Sequence, residues 1–388
     1  MKYQGAVTLS KKEHLRYAII EKYRAGDYSR KEAALKLNLS ERQIARLAKQ
    51  VREGGFKGVI HGNTGKIPIN KIPDNVVEEF VELYEKKYSK FNYSHALEMI
   101  ALHEERTEVN YTRFRKACRK KGIGKVKKRR TSKARIQRER YAEEGYMWQL
   151  DGSPEKWDGE ETSSLIALID DATSKVPGAS LSPTETTWAC MNVVRKAIEK
   201  NGRPEFILTD RAGWSEGSSR KRMHFSQFER ACRELDITVI ATPSPESKGR
   251  IERLNRTFQE RLIPELDLYG IRGLKDCNRY IDQAFIPDWN QRFTVEARES
   301  TTRYRPLDKN SDLKDIFCIK ERRIVNRDHT ISFKNKRYKI TPEKGEKYKG
   351  KEVIVHEYED ESISIFYGTK KLNSEIIKLP KRVWKNCA

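Results

Sequence analysis

YMWQLDGS, residues 146–153, decides how the middle of the chain is read. The apolar run Tyr146–Leu150 reads as a β-strand, and an acid, Asp151, ends it. FILTDR, residues 206–211, repeats the arrangement, with Phe206–Leu208 as strand and Asp210 at its end. Ser164–Ile169, Val176–Leu181 and Ile237–Ala241 read as further strands. Thr184–Lys200 reads as a helix, with Trp188, Met191, Val194 and Ile198 at helical spacing. Phe225–Leu235 is a second helix, and a third starts near Lys248 and continues to about Leu262. Three strands, a helix, a strand, a helix, a strand and a helix predict an α/β domain with a mixed five-stranded sheet over residues 145–300. An acid at the carboxyl edge of such a sheet stands where open α/β sheets bind ligands.

Singly, these acids have ordinary explanations. Asp-Gly and Thr-Asp are common in turns and caps, and a Glu in a first helical turn, like Glu252, favours the helix dipole. Their combination says more: strand-Asp, strand-Asp, helix-Glu, with 59 positions from Asp151 to Asp210 and 42 from Asp210 to Glu252. Glu252 follows Gly249 and leads Arg253, Asn255, Arg256, Gln259 and Arg261. Glu246 competes for third place, but Pro243 and Pro245 make its segment an extended loop, a poor base for coordination. Asp170 and Asp171 end the second strand, where a turn role is expected. Asp158, Glu160 and Glu161 fall in a hairpin loop. Trp148, Trp188 and Trp214 could stack on bases, with core packing the better reading of the first two.

Toward the N-terminus, residues 11–53 read as three short helices. The second opens at Ser29 with Glu32 and the third at Ser40 with Gln43, each a reciprocal cap. Asn38 and Leu39 make the turn between them, and Ala33, Leu35, Leu37, Ile44, Leu47 and Val51 supply an apolar seam. The pattern predicts a helix-turn-helix domain over residues 1–55 with Arg42, Gln43 and Arg46 presented to base edges. A plain three-helix bundle with a solvated basic face shares the pattern. A glycine-rich linker follows, then a helical block over residues 70–122 built from DNVVEEFVELYEKKY, YSHALEMIALHEE and YTRFRKACRKKG. It is read as a second helix-turn-helix or winged-helix unit, with Arg113 on its last helix. Residues 119–140 hold twelve Lys or Arg against one acid. The linker at 123–144, with Lys127, Lys128, Arg129 and Arg130, suits either a solvated run or an arm lying along phosphates. Toward the C-terminus, the strand-rich segments DHTISFKNKRYKI, KEVIVHEYEDESISIFY and TKKLNSEIIKL predict a small β-barrel over residues 322–385.

Over all 388 residues, 79 Lys and Arg face 56 Asp and Glu, a net charge of +23 that favours a polyanionic partner, nucleic acid first. No stretch approaches the roughly 20 apolar residues of a spanning helix, and no secretion signal is read, so a membrane partner is not expected. Six scattered cysteines without CxxC argue against a zinc site and a disulfide framework. The expected compartment is reducing, the cytoplasm and its nucleoid.

WQLDGS, ILTD and KGRIERLNRTFQERL resemble the core motifs of bacterial insertion-sequence transposases, within the DDE transposase and retroviral integrase superfamily. The resemblance implies an RNase H-like catalytic core and carries its metal ligands onto Asp151, Asp210 and Glu252. It implies two Mg²⁺ (or Mn²⁺) ions per active site, double-stranded DNA as both element ends and target, and a homo-oligomer assembled on DNA. Arg250, Arg253, Asn255 and Arg256 are the expected DNA contacts of the core. The chain departs from retroviral integrases in lacking their N-terminal His/Cys zinc module. Its second and third acids are also further apart than the integrase pattern, and the surplus falls in RAGWSEGSSRKRMH after Asp210. Two other functions share these motifs: a metal-dependent nuclease that cuts without joining, and an inactive transposase-derived DNA-binding regulator.

Overall fold

Ser10, Ser29 and Ser40 each open a helix through a reciprocal cap. In the computed structural model, which describes residues 9–64, 68–69, 71–124, 138–210, 226–242, 247–308, 311–343 and 345–377, these helices are α1 (Lys11–Ala25), α2 (Arg30–Leu37) and α3 (Glu41–Gly54). The Ser29 amide donates to Glu32 Oε2 at 2.7 Å and the Ser40 amide to Gln43 Oε1 at 2.9 Å, while each serine hydroxyl accepts from the amide three residues on. Asn38, left-handed at φ 50°, turns the chain between α2 and α3. Ile19, Ile20, Ala33, Ala34, Ile44, Ala48 and Val51 pack this core. Leu35 is not in the expected seam: it is 75% exposed and Ala34 is buried instead. Two positions along a helix is about 200° of rotation, so a side chain two residues after buried Ala33 points away from its face.

The chain divides into two compact units, Met1–Asn75 and Val76–Ala388. α4 (Asp74–Leu83) starts two residues before the second unit, which continues with a π-helical turn at Tyr84–Tyr88, α5 (Tyr93–Glu104) and α6 (Tyr111–Lys120). Phe114 of α6 meets Tyr84 and Tyr93 edge-on, with ring centroids 5.6 and 5.9 Å away.

The elements that follow are β1 (Met147–Glu155), β2 (Ser163–Asp170), β3 (Ala179–Ser182), α7 (Thr187–Asn201), β4 (Phe206–Thr209), α8 (Gln227–Glu234), β5 (Thr238–Ala241), α9 (Gly249–Leu268), α10 (Leu274–Tyr280) and α11 (Ile286–Phe293). The strands form one mixed sheet in the order β3-β2-β1-β4-β5. β1, β2 and β3 pair antiparallel, whereas β1, β4 and β5 pair parallel. Alternation along the strands sends side chains to opposite faces. Trp148, Leu150, Ile166 and Leu168 pack under α7 and α8, whereas Leu165, Ala167 and Ile169 pack under α9, α10 and α11. The expected mixed five-stranded sheet is thus present, and helices cover both of its faces.

Three boundaries differ from expectation. β1 does not end at Asp151 but runs on to Glu155, because β2 continues as its hairpin partner, pairing Asp151 with Ala167 and Glu155 with Ser163. β3 begins at Ala179, not Val176; the Val176 amide and carbonyl are held by the Asn290 side chain instead. α9 does not stop near Leu262 but runs through Pro264 to Leu268, with Leu262, Pro264, Glu265 and Leu266 all buried. Burial of that stretch outweighs a proline penalty of about 3 kcal/mol.

The second helical block docks on the far half of α9. His95 Nε2 lies 2.8 Å from Glu265 Oε1, Lys90 Nζ 2.7 Å from Asp267, and Glu98 is shared by Arg261 and Arg292. This α4–α6 block therefore belongs to the same compact unit as the sheet.

Beyond α11 come α12 (Leu313–Ile316) and strands β6 (Ile319–Ile324), β7 (Thr330–Phe333), β8 (Lys336–Ile340), β9 (Glu352–Glu357), β10 (Ile363–Tyr367), β11 (Lys370–Leu372) and β12 (Ser374–Ile377). They form two antiparallel sheets, β11-β10-β9-β6 and β12-β8-β7, around one core that includes Ile331, Tyr338, Val353, Val355 and Ile365. A closed barrel was expected; among the described residues the two sheets share a core without joining into a ring. β6 and β7 follow one another in the chain but lie in different sheets, β6 pairing with β9 and β7 with β8.

Candidate active site

The parallel pairing of β1 with β4 matches Gln149 to Leu208. Carried two residues on, that register sets Asp151 beside Asp210 on the same side of the sheet, since side chains alternate in step along parallel neighbours. The face carrying Gln149, Asp151 and Ser153 looks toward α9. Two strand residues advance about 6.6 Å and four helical residues about 6 Å, so side chains two apart on β1 can meet side chains four apart on α9. They do: Gln149 Oε1 accepts from the Ile251 amide at 3.1 Å, Asp151 Oδ2 accepts from Asn255 Nδ2 at 3.0 Å, and Ser153 Oγ accepts from Gln259 Nε2 at 3.0 Å. This ladder locks the first turns of α9, which carry Glu252, against β1.

Lys248, just before α9, reaches into the same place. Its Nζ is 2.6 Å from Asp151 Oδ1 and 3.7 Å from Asp210 Oδ2, with the lysine side chain 10% exposed. Burial raises the Asp151 carboxyl above its ordinary pKa; the Lys248 ammonium pulls it down, and the charges of Asp210 and Glu252 add to the rise. Glu252 itself is exposed in the first turn of α9. A fourth acid, Glu185, presses its carboxylate on Gly152: a Cβ there would stand 2.1 Å from Glu185 Oε2, so only glycine fits without moving that side chain. Among the described residues no three His, Cys, Asp or Glu are gathered closely enough to hold one metal ion. The donor set nevertheless suits a hard divalent cation, being carboxylate oxygen, and Asp151 and Asp210 already converge on one cationic atom.

Asp171 lies beneath this layer. Fully buried, it pairs with Arg138, with Arg250 Nη1 at 3.0 Å and with Gln149 Nε2 at 2.7 Å. Asp170, also fully buried, holds the expected turn, accepting from the Thr173 amide at 2.9 Å and from Gly145 N at 2.8 Å. Two expected DNA contacts are therefore committed inside the protein. Arg250 is tied to Asp171 and to the Arg138 carbonyl, and Asn255 is 6% exposed with its amide on Asp151. Arg253 and Arg256 are exposed beside Glu252, as are Arg42, Gln43 and Arg46 on α3, while Arg113 is half-buried on α6. Lys127, Lys128, Arg129, Arg130, Trp214, Glu246 and the loop after Asp210 lie outside the described residues. Trp148 is a core residue, its Nε1 donating to Tyr304 Oη at 2.8 Å, and Trp188 packs against the same core.

Lys248, Gln149 and Glu185 escaped the sequence reading. Gln149 had a signal, since it stands two residues before Asp151 on a strand and so shares its face. Lys248 had a weaker one, four residues before Glu252. Nothing near Glu185 in the sequence points to Gly152.

A helix-turn-helix domain family matches residues 15–66, which span α1 to α3. The y4bF protein of Sinorhizobium fredii, named provisionally as a transposase, is 29% identical over 390 residues, covering 98% of this chain and 84% of that protein. The HTLV-2 integrase catalytic core, solved in complex with magnesium, aligns at 20% identity with a TM-score of 0.29 over 36% of this chain and 85% of that one, too loosely to add to the topology above. The transposase for insertion sequence IS1202 of Streptococcus pneumoniae is 30% identical over 376 residues, 87% of this chain and 80% of that protein. Similar to such a transposase over 87% of its length, and carrying a helix-turn-helix domain followed in sequence by a mixed five-stranded core, the chain belongs to the insertion-sequence transposases.

Proposed function

We propose that this transposase cleaves phosphodiester bonds at the ends of its mobile element and joins the freed 3′-hydroxyl to target DNA, with Asp151, Asp210 and Glu252 as its catalytic acids. The observation that carries this reading is the convergence of Asp151 and Asp210 on one cationic atom beside the helix that Glu252 opens. These acids would hold two Mg²⁺ or Mn²⁺ ions, which when bound activate the attacking oxygen and stabilise the leaving one. The protein's own part is orientation. Asn255 fixes one oxygen of Asp151, Gln149 fixes the first turn of α9, and Arg253 and Arg256 flank the path of an incoming strand.

In this reading residues 1–55 recognise the element ends through Arg42, Gln43 and Arg46. Residues 70–122, with Arg113, and the arm at 123–144, with Lys127, Lys128, Arg129 and Arg130, lie along phosphates. Residues 145–300 do the chemistry, residues 322–385 form an accessory tail, and the active form is a homo-oligomer on DNA in the nucleoid. The purified protein is to be incubated with duplexes carrying the element's terminal repeats, with and without Mg²⁺. Cation-dependent nicking at the repeat end followed by strand joining is expected. Nicking without joining would reduce the protein to a nuclease, and binding without nicking to a DNA-binding regulator.

A further inference from the structure

Lys248 is 8% exposed, and its ammonium lies between Asp151 and Asp210. A buried ammonium is costly unless paired, and neighbouring carboxylates that share a site repel one another. Placing the first between the second relieves both. Asp151 is then fully engaged by groups from the start of α9, one oxygen to Lys248 at 2.6 Å and the other to Asn255 at 3.0 Å. The lysine backbone meanwhile accepts the Glu252 amide at 3.1 Å, so the side chain that neutralises two of the acids is anchored to the turn that presents the third. A lysine ammonium is a point charge on a flexible four-carbon stem; it can leave this position by side-chain rotation with the helix bond kept.

We propose that Lys248 is a built-in counter-ion of the catalytic acids, holding Asp151 and Asp210 together before metal arrives, and that a divalent cation loads by displacing its ammonium. The inference rests on the reading of these acids as metal ligands. The cation and the ammonium repel one another at the one oxygen of Asp151 that Lys248 occupies, so metal affinity is set by the difference between the cation's attraction and the ammonium's.

The test is a Mn²⁺ titration of full-length, chelator-stripped protein without DNA, reading free Mn²⁺ by electron paramagnetic resonance and the thermal midpoint in parallel. Lys248→Met is expected to lower the midpoint in the absence of metal, to bind Mn²⁺ roughly tenfold more tightly, as loss of one charged hydrogen bond implies, and to recover its midpoint when loaded. Lys248→Arg, which keeps the charge, is expected to stay near the parent in Mn²⁺ affinity. If Lys248→Met does not fold, Lys248→Gln serves the same comparison. Equal Mn²⁺ affinity in the parent and the neutral variant overturns the proposal while leaving the metal reading intact. Failure of both to bind Mn²⁺, or undiminished binding by Asp151→Asn, overturns the metal reading itself.

Discussion

Glu252 carries the sharpest residue-level consequence. Exposed at the first turn of α9, with Asn255 and Gln259 of the same helix already bonded to β1, it is the acid of that helix best placed to turn toward Asp151 and Asp210. Glu252→Gln is expected to abolish both end cleavage and strand transfer in a Mg²⁺-dependent assay while leaving end binding nearly intact. Glu246→Gln is expected to keep at least a tenth of activity, about 1.4 kcal/mol or less in barrier. The opposite ranking would move the third catalytic role to Glu246. Asp151 adds a pH dependence. Burial holds its pKa above the ordinary value, and only the ionised form attracts a cation. Cleavage at fixed, subsaturating Mg²⁺ should therefore decline as pH falls, beginning above the range in which an ordinary aspartate titrates. A decline confined to that ordinary range would remove Asp151 from the rate-controlling ionisation.

Among elements, the match between β1 and α9 decides how firmly the site is built. Gln149 is fully buried and bridges the two, accepting from Ile251 and donating to Asp171. Gln149→Leu leaves the Ile251 amide without its acceptor, while Asp171 keeps Arg138 and Arg250, a cost of about 1–3 kcal/mol for the orphaned amide. The expected outcome is a lower thermal midpoint and slower cleavage with unchanged affinity for element ends; an unaltered midpoint would show that the ladder contributes nothing. The caps of the N-terminal unit make a separate case. Ser40→Ala removes the hydroxyl that accepts from the Gln43 amide, a loss of about 1 kcal/mol. Amide hydrogen exchange in the first turns of α3 should quicken roughly fivefold, and exchange at the parent's rate would show that water replaces the cap fully.

At the scale of the whole molecule, each chain contributes among its described residues one candidate site, and a helix-turn-helix family matches its residues 15–66, whereas a mobile element has two ends. An Arg42→Ala/Arg46→Ala protein, impaired in end recognition, mixed with an Asp151→Asn protein, impaired in cleavage, should regain part of the parent's activity if one subunit binds an end that another cuts. Mixtures no more active than either component alone would place recognition and cutting of an end in the same subunit. The docking of α5 on α9 bears on this: His95–Glu265 and Glu98 with its two arginines fasten the second helical block to the helix whose first turn carries Glu252. DNA held by that block would therefore be held in fixed register with the acids.

Much of this was legible without coordinates, because the signals are local. Serine followed three residues later by Glu or Gln opens α2 and α3, apolar runs ending in acids mark β1 and β4, and glycine before Glu252 marks the start of α9. The order of those elements was enough to expect a mixed five-stranded sheet. The sequence could not show that β1 continues past Asp151, because an extension stabilised by β2 depends on a partner strand and not on the apolar run itself. Nor could it show that Arg250 and Asn255 turn inward, since a polar residue on an amphipathic helix looks solvent-bound until a buried Asp171 or Asp151 is placed opposite. Lys248 reaches Asp151 across 97 positions of chain and Asn255 does so across 104. Strand register and the pitch of one helix against one strand determine such pairings, and these exist only once the sheet has closed against α9.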